Sequence, residues 1–196
     1  MRNTFLFALA LLFFTNTIQA ATPTQTLEIA VNRLIEVAAD KVMDDTAKKQ
    51  ALSIVLSEEI DFNSLSRRVV SKNWKKATEE QKTQFKKLFL NIMTDTYFSL
   101  LKNYNNEKVL FTKEQIKQTK KNTYAIVDTK IKTSDKTIPV RYRLIKNGDT
   151  WKIYDFIPEG ISIVTTYKNN YSKTLKKKGM QGLLDDMTKS QSKTKG

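Results

Sequence analysis

The sequence predicts an α+β protein, an antiparallel four-stranded sheet packed against N-terminal and C-terminal helices. The first hundred residues carry apolar side chains at helical spacings of three and four, whereas residues 108–157 alternate between apolar and polar with the period of strands. The pair Asn147-Gly148, a strong hairpin signal, separates the last two strands. Helical spacing then returns beyond Ile161. Because no helix is predicted between strands, the connections are short and the strands antiparallel.

The N-terminal segment differs in kind from the rest of the chain. Arg2 precedes an apolar run from Phe5 to Phe14, and a polar patch then leads to Ala20. This layout is typical of a cleavable secretory signal peptide, and the run is short for a membrane span. A retained N-terminal anchor is the alternative. The predicted organisation is a signal peptide (1–20), one domain (21–188) with a helical lobe (about 24–104), a sheet (about 108–157) and C-terminal helices (161–188), and a disordered basic tail (189–196).

The helical lobe is predicted to contain four helices. They run from Thr24 to Val42, from Thr46 to Glu58, from an Asp61 cap to Val70, and from Thr78 to about Tyr104. The spacing of Thr78 and Gln81 is that of a capping box, which satisfies free backbone donors at a helix start. The last of these helices carries a wide apolar stripe with four aromatic rings. Such a stripe predicts that one face is buried against the sheet.

Four strands follow, each with a polar outer face. They are predicted at Val109–Phe111, at Thr123–Ile131, after Pro139 and at Trp151–Ile157. A turn at 158–160 leads into a helix starting at Ile161 or Ser162. Gly179 follows three lysines, so it suits the position just after a helix end, and Met180 begins a second short helix.

Composition excludes several kinds of chemistry. The chain has no cysteine and no histidine, so it cannot form a thiolate zinc site or a Ser-His-Asp triad. Asp155 and Glu159 flank the end of the last strand, but two isolated acids make a weak case for catalysis. We therefore predict that the protein is not an enzyme, with no catalytic residues and no metal site. The net charge is +14, or +13 without Arg2 (33 basic against 20 acidic residues), which favours anionic partners.

Two blocks of sequence carry a resemblance to a known family. The first, WKIYDFIPEGISIVTTYKNNYSKTLKKKGMQGLL, spans Trp151 to Leu184, and the second, beginning RRVVSKNWKKATEEQKTQFKKLF, lies between Ser66 and Tyr104. Together they resemble the MlaC (toluene-tolerance) family of periplasmic phospholipid-binding proteins, the substrate-binding components of an ABC transporter. Pro158, just before the Glu-Gly pair, departs from the family pattern. The resemblance implies an NTF2-like cone with a helical lobe.

The resemblance also implies a function and a site. It implies a periplasmic shuttle that carries phospholipids between an outer-membrane lipoprotein complex and an inner-membrane ABC transporter complex, maintaining outer-membrane lipid asymmetry. The shuttle is expected to be a monomer that holds phospholipid as cargo and needs no other cofactor. The acyl chains would lie in a slot between helices and sheet. The predicted lining is Ile92, Met93, Tyr97, Leu100, Leu101, Val127, Val140, Tyr142, Ile153, Ile157, Ile161 and Val164.

Other functions compete with this one. The first is an exported basic module that binds another hydrophobic ligand or an acidic surface. Nucleic-acid binding is disfavoured, because the predicted sheet does not expose basic residues interleaved with aromatic ones and the chain begins with an export signal. An enzyme of NTF2-like shape is third. Docking to partners or to anionic lipid is assigned to lysines 82, 86, 87, 173, 176, 177 and 178.

Overall fold

The computed structural model describes residues 20–194. The predicted signal peptide therefore lies, apart from Ala20, outside the described residues. The elements are α1 (Pro23–Ala39), α2 (Asp45–Glu59), α3 (Phe62–Val70), α4 (Lys72–Lys76), α5 (Glu79–Lys102), β1 (Lys108–Gln118), β2 (Thr123–Lys132), β3 (Thr137–Asn147), β4 (Thr150–Pro158) and α6 (Ile163–Thr194). This order, helices then sheet then helix, confirms the predicted fold class.

The sheet is an antiparallel meander with strand order β1-β2-β3-β4. β1 is 11 residues long, well beyond the predicted Val109–Phe111, because its second half is polar and exposed and shows no apolar alternation. β3 begins at Thr137, so Pro139 lies inside the strand opposite Lys130 and does not open it. The helices cover one face of the sheet, on which Ala125 and Val127 are buried.

A β-bulge between β3 and β4 reverses which side chains face the helices. Arg143 pairs with Asp155 but the next residue, Leu144, pairs with Ile153, so Tyr154 is an extra residue on β4. Side chains alternate between faces along a strand, and one extra residue inverts that alternation. The face that carries Ile153 before the bulge therefore carries Phe156 after it.

Side-chain hydrogen bonds fix the starts of α1 and α5 and the end of α1 in the helical lobe. Thr78 and Gln81 form the predicted capping box at the start of α5, and Thr22 and Gln25 form another at α1. α1 ends at Ala39, three residues before the predicted Val42. The carboxylate of Asp40 accepts hydrogen bonds from the backbone N–H groups of Val42 and Met43, at 2.7 and 2.8 Å. These bonds stabilise a turn in place of a further helical turn.

The C-terminal helix confirms one prediction and corrects another. Gly179 has φ 67° and ψ −163°, a conformation that divides α6 into two helical parts, as predicted. The second part continues to Thr194, so the prediction of a disordered tail from Lys189 is wrong for residues 189–194. Gln191 explains the difference, because its amide donates a hydrogen bond of 3.0 Å to the backbone carbonyl of Leu88 and docks these last turns on α5.

The buried residues form two clusters. The larger joins α3, α4, α5 and α6 around Phe85 and Phe89, whose rings contact Trp74, Tyr167 and Tyr171 at centroid distances of 4.8–6.5 Å. The smaller lies between α1 and the sheet. Partly buried side chains such as Ile153 contact both clusters, and the space between the two is the candidate site.

Candidate functional site: an apolar cavity between helices and sheet

A cavity of about 230 Å³ separates α1, α2 and the C-terminal half of α5 from the sheet. Its wall is almost entirely aliphatic and aromatic. The lining residues are Ala30, Leu34, Leu52, Val55, Leu56, Glu59, Ile60, Tyr97, Leu100, Leu101, Tyr142, Ile153 and Phe156. A concave space with such a wall suits hydrocarbon.

Three aromatic rings form the wall where α5 meets the sheet. The ring of Phe156 contacts that of Tyr97 edge-on, with 5.2 Å between centroids, and stacks on Tyr142 at 6.4 Å. Burial raises the pKa of the Tyr142 hydroxyl to about 12 and also raises that of Tyr97, because an ionised oxygen would lose its hydration. Both side chains therefore stay neutral at physiological pH.

Glu59 is the single charged side chain in the lining, and an ion pair with Arg33 compensates its charge. Glu59 accepts a hydrogen bond of 2.7 Å from the guanidinium of Arg33, which also contacts Glu58 at 2.5 Å. Arg33 and Glu58 are partly exposed, whereas the side chain of Glu59 is 13% exposed. These ion pairs connect α1 to the C-terminal end of α2. Among the described residues, the cavity wall therefore carries no unpaired charge.

The cavity reaches the surface at the C-terminal end of α5. Leu100 belongs to the lining, yet 64% of its surface is exposed. The α1–α2 turn lies beside it, because Lys102 pairs with Asp45 at 2.6 Å. Val42, in that turn, is 95% exposed. Two exposed apolar side chains, Leu100 and Val42, thus lie at this end of the molecule.

Five of the twelve predicted lining residues do line this cavity. They are Tyr97, Leu100, Leu101, Tyr142 and Ile153. Tyr97, Leu100 and Leu101 lie on α5, Tyr142 lies on β3 and Ile153 lies on β4. Whether they contact lipid stays a prediction.

Five others lie outside the cavity, packed elsewhere. Met93 and Val127 are fully buried in the two core clusters, and Ile92 and Val164 pack against the larger cluster. Val140 is buried beside Thr129, whose hydroxyl donates to its carbonyl at 3.2 Å. All five are apolar positions of regular elements, and periodicity alone cannot separate a close-packed core position from a cavity wall.

The remaining two residues, Ile157 and Ile161, lie outside this cavity for identifiable reasons. Ile157 faces the opposite side of the sheet, because the bulge at Tyr154 inverts β4 and brings Phe156 to the cavity instead. Ile161 is 63% exposed and precedes α6, which begins at Ile163. A charge at Ile161 would therefore meet water and would not enter the cavity.

Sequence reasoning missed most of the wall contributed by α2. Helical spacing in α2 also allows an inward face of Ala47, Ala51, Ile54 and Val55, but Ile54 is 47% exposed and the cavity is lined by Leu52, Val55, Leu56 and Glu59. These four positions have the spacing i, i+3, i+4, i+7 of one helix face, so the signal was present. Phe156 could not have been found without the bulge.

The acids considered for catalysis have structural partners. Asp155 is 2% exposed and accepts hydrogen bonds from the Ser162 hydroxyl at 2.8 Å and the Val164 N–H at 3.1 Å. Glu159 pairs with Lys136 at 3.5 Å. Within residues 20–194, no three acidic side chains are grouped as a metal site would require, and no helix there has the length and apolar character of a membrane span.

The fold and the site together define an α+β domain that encloses an apolar cavity, with no polar catalytic cleft at that position. The sequence model of the MlaC protein family matches residues 28–189. The chain therefore belongs to the MlaC family, as the resemblance predicted.

Two curated relatives extend the similarity over most of the chain. The intermembrane phospholipid transport system binding protein MlaC of Haemophilus influenzae is 25% identical over 198 residues, covering 93% of this chain and 92% of the relative. The toluene tolerance protein ttg2D of Pseudomonas putida is 24% identical, covering 83% of this chain and 77% of the relative.

A solved structure shares the fold. The phospholipid-binding protein of Ralstonia solanacearum, determined in complex with a phospholipid, superposes with a TM-score of 0.78 at 21% identity. The superposition covers 90% of this chain and all of the other.

Proposed function

We propose that the protein is a phospholipid carrier that holds acyl chains in the cavity between α1, α2, α5 and the sheet. The observation that carries the proposal is the cavity itself, an apolar space with neutral tyrosines, a neutralised carboxylate and an exposed leucine, Leu100, in its wall. Hydrocarbon is the ligand chemistry that such a wall favours.

The relatives support phospholipid as the source of that hydrocarbon. One is named for intermembrane phospholipid transport, and the structural neighbour was solved with a phospholipid bound. Membership of the same family makes the same cargo the simplest proposal for this chain. Another hydrophobic ligand in the same cavity is the alternative.

Energetics favour a shuttle over a permanent store. Burying two acyl chains of roughly thirty methylenes stabilises them by about 20–25 kcal/mol relative to water, at about 0.8 kcal/mol per methylene. A bilayer offers nearly the same stabilisation, so the net free energy of transfer lies near zero. Contacts with partners can then set the direction of movement.

Loading requires the cavity to widen. Its volume of about 230 Å³ lies below the range of about 300–1,000 Å³ typical for drug-sized ligands. α2 is bound to α5 through two surface ion pairs, Lys49–Asp95 at 2.5 Å and Lys102–Asp45 at 2.6 Å. Surface pairs of this kind contribute about 0–1 kcal/mol each, so these two ion pairs oppose the movement of α2 away from α5 only weakly.

The cellular role follows from the family as a further part of the proposal. We place the protein in the periplasm, as a monomer carrying phospholipid between an outer-membrane lipoprotein complex and an inner-membrane ABC transporter complex. The names of the relatives, which include a transport system, support this assignment. The proposed binding wall is the set of residues that line the cavity, five of which are among the twelve predicted from the sequence.

A cavity-filling variant tests the proposal. Ala30 is 3% exposed and lies on the cavity wall, so Ala30→Phe places a ring where acyl chains would lie. Overpacking costs about 1–3 kcal/mol, so lipid binding should weaken about fivefold or more while the fold is kept. The measurement is phospholipid per protein by native mass spectrometry after purification, with folding checked by circular dichroism.

Ala39→Phe is the matched control, because it makes the same substitution at an exposed position of the same helix. It should purify with as much phospholipid as the unsubstituted protein. Equal lipid content in both variants would show that the cargo lies elsewhere. A non-phospholipid ligand, displaced by Ala30→Phe alone, would support the alternative cargo.

A further inference from the structure

A second surface, remote from the cavity, is built from six lysines that the proposed function leaves unused. Two short series have identical spacing i, i+3, i+4. They are Lys72, Lys75 and Lys76 on α4, and Lys173, Lys176 and Lys177 on α6. We call these six side chains the lysine face.

Each series lies on the side of its helix that is turned away from the core. With about 100° per residue, the α6 series is centred opposite Tyr171 and Leu175, which pack into the larger cluster. The α4 series is likewise centred opposite Trp74, which is 7% exposed. All six lysines are exposed. The helix geometry thus presents six ammonium groups to solvent.

The two series are neighbours in space. Trp74 of α4 and Tyr171 of α6 contact the same ring, Phe85, at centroid distances of 6.5 and 6.1 Å. α4 also packs directly against α6. The two lysine series therefore lie on the outer sides of two adjacent helices.

The charges on this patch have no internal partner. None of the six lysines forms an ion pair with another described residue. Two nearby acids are already paired with other lysines, Glu79 with Lys82 and Asp186 with Lys178. Holding six unpaired like charges together costs repulsion, which an anionic partner would relieve.

The chemistry of the patch favours a bilayer over a protein as that partner. Protein interfaces are enriched in aromatic residues and arginine and depleted in lysine. Here all six cations are lysine, and no large apolar residue of α4 or of residues 163–178 is strongly exposed. Lysine is a point charge suited to the diffuse array of phosphates at an anionic membrane surface.

We propose that the lysine face binds the surface of anionic phospholipid bilayers, reversibly and without insertion. The cavity is lined by α1, α2, α5 and the sheet, and neither α4 nor α6 contributes to it. The two surfaces are thus separate, so bilayer binding and cargo binding can be altered independently.

Vesicle sedimentation tests the proposal. The purified protein is mixed with vesicles containing phosphatidylcholine alone or with added phosphatidylglycerol, at low and at high salt. We expect binding only to the anionic vesicles, with loss at high salt, because exposed charges are screened over about 3 Å at 1 M salt. Lys176→Glu with Lys177→Glu should reduce the partition coefficient about tenfold or more.

The β1–β2 hairpin supplies a matched control. Lys120 and Lys121 are exposed and adjacent, so Lys120→Glu with Lys121→Glu makes the same change in net charge outside the lysine face. This variant should still bind. A second variant of the lysine face, Lys75→Glu with Lys76→Glu, should lose vesicle binding as the α6 variant does. Because the two variants alter different helices, a folding defect in one helix cannot explain the loss of binding in both.

Three results would overturn the proposal. They are no binding of the unsubstituted protein to anionic vesicles, undiminished binding by both face variants, or equal loss in the hairpin variant, which would mean that net charge alone is responsible. Binding to polyglutamate but not to vesicles would likewise replace the bilayer with an acidic protein. Co-purifying phospholipid should be unchanged in every lysine variant, so failure here is distinguishable from failure of the carrier proposal.

Discussion

At the scale of single residues, Asp155 shows how one carboxylate connects sheet and helix. It stands on β4, on the face opposite the cavity, and its two oxygens reach the first turn of α6 through the Ser162 hydroxyl and the Val164 N–H. Arg143 of β3 approaches the same carboxylate at 3.3 Å. A negative charge at a helix start stabilises free N–H groups and the positive end of the helix dipole. The sequence marked Asp155 as unusual, and the structure assigns it a positioning role.

Removing this carboxylate should destabilise the fold. Asp155→Ala leaves the partly buried Ser162 hydroxyl and a helix N–H without their acceptor, which costs about 2–3 kcal/mol. Asp128→Ala is the control, because Asp128 also pairs with a β3 arginine on the same sheet face, at 2.7 Å, but in a more exposed position. Its loss should cost less than about 1 kcal/mol. Urea unfolding measures both, and equal values would contradict the anchoring role.

At the scale of elements, two local irregularities decide where functional side chains go. The bulge in β4 selects Phe156 over Ile157 for the cavity wall. The break at Gly179 lets the second part of α6 fold back so that Met180, Leu183 and Leu184 join the larger core cluster. Regular periodicity predicts neither consequence, although the glycine itself is visible in the sequence.

Substitution of Gly179 tests the second irregularity. A Cβ there would meet no atom within 4 Å, so any effect of Gly179→Ala comes from backbone strain at φ 67°. The left-handed region costs an L-residue roughly 1–2 kcal/mol, and we expect a loss of stability of that size. Ser172→Ala, at an exposed site of the same helix, should change the unfolding free energy by less than about 0.5 kcal/mol. A neutral Gly179→Ala would mean that the break can straighten.

At the scale of the whole molecule, the sequence predicts the architecture well and the site in part. Strand order, the covered face, the capping box at Thr78 and the break at Gly179 follow from local chemistry that acts within a few residues. The cavity does not, because it is the space left where two clusters fail to meet, and its walls depend on how far α2 stands from the sheet. Ile161 lies outside the cavity for a similar reason, because the angle at which the chain enters α6 depends on tertiary packing and not on local sequence.

The cargo should also stabilise the whole domain. A ligand that binds only the folded state raises the unfolding free energy by about 2.7 kcal/mol at a free concentration one hundred times its Kd. For a chain of this size, about 2–4 °C of Tm corresponds to each kcal/mol, so removal of phospholipid should lower Tm by roughly 5–10 °C. Calorimetry of lipid-loaded and delipidated protein measures the difference.

The variants make this last measurement specific to the cavity. Ala30→Phe should show a smaller difference in Tm between the lipid-loaded and delipidated states, because its added ring occupies part of the binding space, whereas Ala39→Phe should retain the full shift. Lys176→Glu with Lys177→Glu should also retain it, since the lysine face lies on other helices than those that line the cavity. If delipidation leaves the Tm of the unsubstituted protein unchanged, lipid is not bound in the folded interior, and the apolar wall between α2 and the sheet is a packing defect with no role as a carrier site.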